Sequence, residues 1–250
     1  MDFTGKVVVI TGASSGIGEA LVYAFADRGA KVVMGARNSA KLAEIAAQLF
    51  TRGIESAFEA TDVTREEDCK RLIDKALSAF GRIDILICNA GISMRALFDD
   101  VQLDVLRQLM DVNFWGTVYC AKYALPALQA AKGTLVGVSS VAGMHGLPGR
   151  TGYSASKFAM TGLLETIRIE NLKKGVHVMV ACPGFTASNV RFSALTADGT
   201  SQGESPRNES KMMSAEEVAQ RIIRGIERHK RTLLMEFDGR ATSLIGKFAP

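Results

Sequence analysis

Short apolar runs rich in valine, isoleucine and leucine recur along the chain and alternate with segments of helical length. Five clear runs lie at residues 6–10, 31–34, 83–87, 135–138 and 176–181, and two weaker ones lie at 54–60 and 232–235. Continuous runs of this kind are typical of parallel strands that are buried on both faces. The repeated strand–helix–strand order predicts a doubly wound α/β fold with a parallel sheet and right-handed crossovers.

Hydroxyl side chains stand where several helices are expected to begin. The candidate N-terminal caps are Ser39, Thr64 and Ser214, ahead of predicted helices at 40–52, 65–80 and 215–228. A further helix is predicted from Tyr153 to about residue 172. The chain has 250 residues, with no internal repeat and no linker that would divide it, so a single domain over 1–250 is expected.

One segment, at about 186–213, interrupts this alternation. It has little periodicity and many serine, glycine, asparagine and aspartate residues, whereas loops of this length in compact domains are usually functional or disordered. Apolar side chains stand near its two ends, namely Phe192, Leu195, Met212 and Met213. We expect a substrate lid; the alternative is an irregular insertion that these apolar residues anchor to the core.

Charge and cysteine usage exclude several classes of protein. The formal net charge is +4 without a long basic run, which argues against a nucleic-acid partner. The four cysteines have no spacing typical of a zinc site, so no metal is expected. We expect them to be free thiols in a reducing compartment. The polar N-terminus and the lack of an apolar run of about 18 residues predict no signal peptide, no membrane span and a cytoplasmic location.

The 24 glycines of the chain exceed the usual share, and three of them follow the first apolar run in the sequence TGASSGIG at 11–18. Glycines between a strand and a helix let the backbone approach a pyrophosphate, whose charge then lies at the helix N-terminus. The residues expected to line this phosphate site are Gly12, Ser14, Ser15, Gly16, Ile17 and Gly18. Glycines in a tight turn without a ligand are the alternative.

The second strand ends with Arg37 and Asn38, about 20 residues beyond the glycines, where the adenosine ribose is usually recognised. An NAD site would have a carboxylate here, and the sequence has none. Arg37 offers a planar, permanently charged guanidinium that suits the 2′-phosphate of NADP. We therefore expect NADP(H), with Arg37 and Asn38 in its site; an exposed arginine at the start of a helix is the alternative.

Tyr153 and Lys157 are four residues apart in the sequence YSASK, so both lie on one face of the predicted helix. A tyrosine with a pKa near 10 is a weak acid–base group at neutral pH. A neighbouring ammonium group and an oxidised nicotinamide would stabilise the phenolate and lower that pKa. A Tyr/Lys pair with this spacing is also common by chance, in which case its role is structural.

Taken together, these motifs resemble those of the short-chain dehydrogenase/reductase family, in its common branch of about 250 residues. The shared motifs, in family order, are TGASSGIG at 11–18, Asp62-Val63, Asn89-Ala90-Gly91, Asn113, the serine pair 139–140, YSASK at 153–157 and Cys182-Pro183-Gly184. The resemblance covers nearly the whole chain. It implies one Rossmann-type domain whose parallel seven-stranded sheet is flanked by helices.

The resemblance also implies catalytic roles for four residues. Tyr153 would be the general acid that protonates the carbonyl oxygen, and Lys157 would hold the nicotinamide ribose and lower the pKa of the tyrosine. Asn113 would anchor a water that links Lys157 to solvent. Ser140 would donate a hydrogen bond to the substrate oxygen, because the family usually places this serine 13 residues before the tyrosine. The adjacent Ser139 is then expected to be structural.

Further cofactor contacts follow from the same resemblance. Asp62 would accept from the adenine amine, Val63 would lie beside the ring, and Asn89, Ala90 and Gly91 would line the adenosine side. The contacts expected at the nicotinamide are Pro183, Gly184, Phe185, Thr186 and Ser188. The chain departs from its relatives at Ser188, where threonine is usual, at Thr186, where an aliphatic residue is common, and at Ser15, where some NADP enzymes have a basic residue.

The expected activity is NADP(H)-dependent hydride transfer between the nicotinamide and a carbonyl or secondary alcohol, a small-molecule substrate. The stretch 193–199 resembles the lid of relatives that reduce steroids or acyl-dihydroxyacetone phosphate, so a lipophilic ketone is expected. His145 either reaches the substrate or lies in a solvent-facing loop. The alternatives are a non-redox epimerase or dehydratase of the same fold and a non-catalytic NADP-binding sensor or scaffold.

The family resemblance also implies a homodimer or homotetramer. Its members commonly associate through the long helices that correspond here to about 103–131 and 153–172.

Overall fold

The computed structural model describes residues 2–186, 193–203 and 212–235. Seven parallel strands form one sheet, with the spatial order β3-β2-β1-β4-β5-β6-β7. The strands are β1 (Val7–Thr11), β2 (Lys31–Ala36), β3 (Ser56–Ala60), β4 (Ile85–Cys88), β5 (Thr134–Val138), β6 (His177–Cys182) and β7 (Thr232–Leu234). The two weak apolar runs are therefore the edge strands β3 and β7, and the predicted doubly wound α/β fold is confirmed.

Helices connect the strands and cover both faces of the sheet. The helices are α1 (Gly16–Ala26), α2 (Ser39–Thr51), α3 (Glu66–Phe80), α4 (Leu103–Met110), α5 (Gly116–Ala131), α6 (Thr151–Glu170) and α7 (Ala215–Glu227). Short 3₁₀ turns lie at Val141–Gly143 and Leu172–Lys174. Over the described ranges, none of the helices is long and apolar enough to cross a membrane.

Alternate residues of the strands pack into two separate cores, because successive side chains of a strand point to opposite faces. On one face, Val8 and Ile10 of β1 pack with α1, α2 and α7. On the other, Val7 and Val9 pack with α3, α5 and α6. Burial on both sides explains why the central strands are continuously apolar.

The helix starts agree with the sequence only in part. Ser214 caps α7, since its hydroxyl accepts a hydrogen bond from the amide of Glu217 at 3.1 Å. The prediction for Ser39 is wrong: it is the first residue of α2, and the cap is Asn38, whose Oδ1 accepts from the amide of Lys41 at 3.0 Å. An asparagine at this position serves as well as a serine.

The prediction for Thr64 is also wrong. Helix α3 begins only at Glu66, and the side chain of Thr64 donates to Oδ1 of Asp62 at 2.8 Å. The amide of Thr64 donates to the same oxygen at 3.0 Å. The threonine therefore belongs to the turn that shapes the loop after β3.

Asp84 joins the start of β4 to β1 through a buried carboxylate. Its oxygens accept from the amide of Val7 at 3.0 Å, from Nζ of Lys6 at 3.1 Å and from Arg82 at 2.6 and 2.8 Å. Burial acts to raise the pKa of Asp84, but these donors outweigh it and hold the pKa below its usual value. The two central strands are thus aligned by an ionic contact that the apolar pattern does not reveal.

The segment between α4 and α5 is a single π-helical turn, Asp111–Trp115. The amide of Gly116 donates to the carbonyl of Asp111, five residues earlier instead of four. Such turns are frequent at functional sites. This one carries Asn113, whose side chain is fully buried.

Candidate active site

The main cleft lies at the carboxyl ends of the strands, where the strand order reverses between β1 and β4. It encloses about 850 Å³ and is lined by the loops after the six strands β1 to β6 and by the start of α6. Doubly wound sheets bind their ligands at this switch point, because the loops on either side turn in opposite directions. The residues predicted to bind a cofactor come from these same loops.

The glycine-rich turn forms one wall of the cleft. Gly12 and Gly16 have φ values of +65° and +53°, the left-handed region that favours glycine. A Cβ on Gly12 would lie 2.9 Å from the Cα of Ala90, so the turn after β1 passes directly against the turn after β4. Ser15 precedes α1 without a capping hydrogen bond from its side chain, which leaves the first N–H groups of the helix for a ligand.

Gly18 is not on the cleft wall, unlike Gly12, Ser14, Ser15, Gly16 and Ile17. A Cβ at this position would lie 2.0 Å from the carbonyl oxygen of Gly12, so Gly18 sets the close packing of α1 against the turn. The same turn is held by Asn89, whose Nδ2 donates to the carbonyl of Thr11 at 2.9 Å. Asn89, Ala90 and Gly91 also line the cleft.

The adenosine half of the cleft contains the residues that follow β2 and β3, namely Arg37, Asn38, Asp62 and Val63. Arg37 is exposed, and no carboxylate among the described residues pairs with it. Asn38 is the cap of α2 and also lies on the wall. Val63 is buried against α5, where a Cβ on Gly116 would come within 2.8 Å of it.

Lys157 is buried beneath the cleft. Its Nζ donates to the carbonyl of Val138 at 2.9 Å and lies 5.9 Å from the centre of the Tyr153 ring. Burial disfavours the ammonium form and lowers the pKa of Lys157 to about 8, although the thiols of Cys182 and Cys88 act in the opposite direction. A lysine with this pKa exchanges its proton close to neutral pH.

Tyr153 lies on the cleft wall near Ser140. Burial raises the pKa of its phenol, while a hydrogen bond with Ser140 and the charge of Arg150 act to lower it. The net direction is upward, so the lowered pKa that was expected from Lys157 is not a property of the chain by itself. Ser139 also lines the cleft but is buried, with its hydroxyl 3.4 Å from the carbonyl of Lys157 and 3.3 Å from Thr161.

Asn113 lies behind the cleft wall rather than on it. Its Oδ1 accepts from the amide of Ile92 at 2.9 Å, and its Nδ2 donates to the carbonyl of Ile92 at 3.0 Å and to Ser156 at 2.9 Å. A Cβ on Gly91 would lie 3.0 Å from this Oδ1 and 3.3 Å from Nζ of Lys157. The side chain of Asn113 therefore fixes the loop after β4 against α6.

The loop after β6 closes the far end of the cleft. Pro183, Gly184, Phe185 and Thr186, the residues expected at the nicotinamide, all line it, whereas Ser188 lies outside the described residues. Of the segment predicted as a lid, the structure describes Thr186, residues 193–203 and residues 212–213. Leu195 lines the cleft, and Thr186 pairs with Met213; Phe192 lies outside the described residues.

Several wall residues were missed by the sequence analysis. Among them are Ser93, Gln108, Leu147 and Arg150. Nη1 of Arg150 donates to Oγ of Ser93 at 2.7 Å and to the carbonyl of Met94 at 2.6 Å. The one sequence signal that could have indicated Arg150 is its position three residues before Tyr153. His145, which was considered as a pocket residue, is not among those that line the cleft.

The sheet order, the glycine turn at its switch point and the Tyr–Lys pair define the class of nucleotide-binding α/β oxidoreductases. The sequence profile described as "short chain dehydrogenase" matches residues 6–198. The chain therefore belongs to the short-chain dehydrogenase family.

The chain is similar to proteins of a plant and of an insect. The chain is 40% identical to "11-beta-hydroxysteroid dehydrogenase-like 2" of Arabidopsis thaliana over 191 residues, and this match covers 75% of the chain. The chain spans only 61% of the length of that relative.

Two solved structures share the fold over almost the entire chain. An alcohol dehydrogenase from the archaeon Thermococcus sibiricus, complexed with 5-hydroxy-NADP, is 28% identical with a TM-score of 0.80, covering 91% of this chain and 93% of that one. A short-chain dehydrogenase/reductase from Burkholderia phymatum, in complex with NAD, is 25% identical with a TM-score of 0.88, covering 98% and 94%. Structures of this fold thus occur with either form of nicotinamide cofactor.

Proposed function

We propose that this protein is an NADP(H)-dependent oxidoreductase that transfers a hydride between the nicotinamide and a carbonyl or secondary alcohol. The observation that carries the proposal is the convergence of Ser140, Tyr153 and Lys157 on the cleft that the glycine turn also lines. One wall of this cleft suits a dinucleotide, and the other suits proton transfer to a bound oxygen.

The residues of the cleft fit a dinucleotide on two observations. The turn at Gly12 has no room for a Cβ, and the first N–H groups of α1 are open to a phosphate. Arg37 supports the 2′-phosphorylated form because an exposed guanidinium stands where an NAD site would have a carboxylate. When bound, the cofactor supplies or accepts the hydride.

The chain itself manages the proton and the substrate oxygen. In reduction, the phenol of Tyr153 donates its proton to the carbonyl oxygen, and the hydroxyl of Ser140 donates a hydrogen bond that holds this oxygen in place. Lys157 would hold the nicotinamide ribose, and its proton exchange near pH 8 suits the return of a proton to Tyr153. Asn113 positions the loop after β4, and we retain for it the role of anchoring a relay water.

We propose a lipophilic ketone of steroid or acyl type as the substrate. The substrate half of the cleft has apolar side chains on three separate loops, Val141, Leu147, Phe185 and Leu195 among them. The similarity to a protein named as a hydroxysteroid dehydrogenase points in the same direction. Residues 186–213 are proposed as the lid over this half.

We further propose a homodimer or homotetramer in the cytoplasm. Large apolar side chains are exposed on α4, on the π-helical turn before α5 and on α6, namely Leu103, Trp115 and Phe158. The four cysteines are free and buried, as expected in a reducing compartment. Light scattering of the purified protein would distinguish the dimer from the tetramer and would contradict the proposal if it gave a monomer.

The test is a screen of NADPH oxidation with three carbonyls: an 11-oxosteroid, acyl-dihydroxyacetone phosphate and cyclohexanone. We expect turnover with at least one of the lipophilic carbonyls and loss of turnover by about 10³-fold or more in Tyr153→Phe, with NADPH binding unchanged. Full activity of Tyr153→Phe would overturn the assignment. Binding of NADPH without turnover of any carbonyl by the wild type would favour a sensor.

A further inference from the structure

A short extended stretch, residues 93–96, connects two parts of the cleft; we call it the bridging strip. On one side, the amide of Ala96 donates to the carbonyl of Gly149 at 3.1 Å, and Ala96 pairs in parallel with Arg150. On the other side, the amide of Arg95 donates to the carbonyl of Leu195 at 2.8 Å. The bridging strip therefore joins the residues that precede α6 to the residues 193–203, which we call the cover segment.

The contact with the cover segment is made in both directions. The amide of Leu195 donates to the carbonyl of Ser93 at 2.9 Å, and Met94 pairs in parallel with Leu195. Ser93 and Met94 are buried, and Leu195 lines the cleft. A displacement of the bridging strip would therefore displace an apolar side chain from the substrate half of the cleft.

The side chain of Arg150 fixes the bridging strip. Its Nη1 donates both to Oγ of Ser93 and to the carbonyl of Met94, at 2.7 and 2.6 Å. Hydrogen bonds from a charged donor are stronger than neutral ones, and here both acceptors belong to buried residues. The backbone of the same residue is tied to the catalytic helix, because its carbonyl accepts from the amide of Ser154 at 2.7 Å.

Arg150 directly precedes α6 and lies three residues before Tyr153, and both residues line the cleft. From this position its charge also acts on the phenol of Tyr153. The other groups that face the phenol are Ser140 after β5, Cys182 at the end of β6 and Lys157 on α6 itself. Ser140 is uncharged, and Lys157 is held at the carbonyl of Val138. In the chain alone, the charge that acts to lower the pKa of Tyr153 is that of Arg150, after the hydrogen bond with Ser140.

We propose that Arg150 is a positioning residue of this enzyme: it holds the cover segment in place relative to Tyr153 and supplies a positive charge beside the phenol. The proposal rests on the function proposed above. It assigns two separable tasks to one side chain, the tether through its hydrogen bonds and the electrostatic support through its charge. Each task has its own measurement.

The tether is tested by hydrogen exchange of the protein without substrate. Arg150→Met removes both the donors and the charge, Arg150→Lys keeps the charge and loses the planar fork, and Arg95→Met is the matched control because this exposed arginine is a neighbour that does not line the cleft. We expect the amides of Arg95, Ala96 and Leu195 to exchange about tenfold faster in Arg150→Met. Arg150→Lys should give a smaller acceleration, and Arg95→Met should give none.

The charge is tested by the pH profile of carbonyl reduction, measured with the carbonyl of the screen that the wild type reduces fastest. Reduction needs the protonated phenol, so its rate falls as the pH rises through the pKa of Tyr153. Removal of a positive charge raises that pKa, and the falling limb should move to higher pH in Arg150→Met. The falling limb should stay at the same pH in Arg150→Lys and Arg95→Met. The KM for the carbonyl should rise in both Arg150 variants.

The outcomes separate the two proposals. Exchange rates in Arg150→Met equal to those of the wild type would overturn the tether, and an unmoved alkaline limb would overturn the electrostatic task. If Arg150→Met does not fold, unchanged exchange and unchanged KM in Arg150→Lys would overturn the tether instead. A wild type that reduces none of the carbonyls contradicts the proposed function, whereas the exchange comparison still decides whether Arg150 holds the cover segment.

Discussion

The ammonium group of Lys157 donates a hydrogen bond to the backbone carbonyl of Val138 at 2.9 Å, at the end of the strand that leads to Ser140. Two elements that are distant in sequence, β5 and α6, are joined at this point beneath the cleft. The ammonium is buried among apolar atoms and thiols, which is an expensive place for a charge. The buried charge of Lys157 therefore lowers the free energy of unfolding.

Substitution of this lysine should change how stability depends on pH. The pKa of Lys157 is about 8 in the folded chain, against about 10.5 when unfolded. Between these values the unfolded chain binds the additional proton, so the free energy of unfolding of the wild type should rise with pH through this window. Lys157→Met should lack that contribution, on the order of 3 kcal/mol in total.

Urea denaturation of the two proteins between pH 7 and 10 measures this difference. The variant should be the more stable of the pair near pH 7, with the gap closing as the pH rises, although its turnover is lost. If the free energies of unfolding of the two proteins changed with pH in parallel, this would contradict a lowered pKa of Lys157.

Arg37 should decide between the two forms of the nicotinamide cofactor. In Arg37→Asp, a carboxylate would repel the 2′-phosphate of NADP and accept hydrogen bonds from the free ribose hydroxyls of NAD. We expect the ratio of kcat/KM for NADPH over NADH to fall by about 10- to 100-fold. The control is Arg95→Asp, an equal charge change at an exposed site outside the cleft, which should leave the ratio unchanged.

Asp84 should contribute to stability through its buried carboxylate. Asp84→Asn removes the charge beside Lys6 and Arg82, and we expect a loss of about 2 kcal/mol, below the usual cost of breaking a buried pair because both cations are partly exposed. Asp104→Asn, which breaks the exposed pair with Arg107, should cost less than about 0.5 kcal/mol. Equal losses in chemical denaturation would argue against this role of Asp84.

The pH dependence of the same pair of variants gives a second readout. Since the pKa of Asp84 is depressed in the folded chain, its contribution is present above the unfolded value near 3.8 and is lost as the pH falls through the folded value. Asp84→Asn should therefore be destabilised at pH 7 and should approach the wild type in acid. A constant difference down to the acid transition would contradict the depressed pKa.

Two helical glycines offer a matched test of the phosphate turn. A Cβ at Gly18 would meet the Gly12 carbonyl oxygen at 2.0 Å, whereas no atom lies within 4 Å of a Cβ at Gly162 of α6. Gly18→Ala should force α1 away from the turn and weaken NADPH binding by at least about tenfold. Gly162→Ala should keep full binding and gain about 0.5–1 kcal/mol of stability. Titration of NADPH fluorescence would contradict the packing argument if both variants bound equally.

The sequence predicted the structure best where a single local property, such as burial or helical spacing, determines it. Continuous burial produces the uninterrupted apolar runs of β1, β2, β4, β5 and β6, so these strands were predicted within a few residues. Spacing along one helix placed Tyr153 and Lys157 together, whereas the preference for Ser140 over Ser139 came from the family resemblance and stays a prediction. In each case, the relationship is encoded within a single element or at a fixed separation along the chain.

Such patterns did not predict the contacts between segments that are distant in the sequence. Nothing in the residues around Ser93 indicates that they receive the side chain of Arg150, because that contact depends on how the loop after β4 passes the start of α6. The cap of α2 shows the same limit on a smaller scale. Asn38 and Ser39 are both good capping residues, and the path of the chain out of β2 decides between them.

The π-helical turn at Asp111–Trp115 makes the long helical region sensitive to deletion in a particular way. Each residue of a helix rotates the next side chain by about 100°, so the one additional residue of this turn sets the rotational phase of α4 relative to α5. Loss of a single residue here would restore regular α-helical hydrogen bonding and yet turn Asn113 away from Ile92 and Ser156. A more regular helix would thus leave the loop after β4 without its anchor.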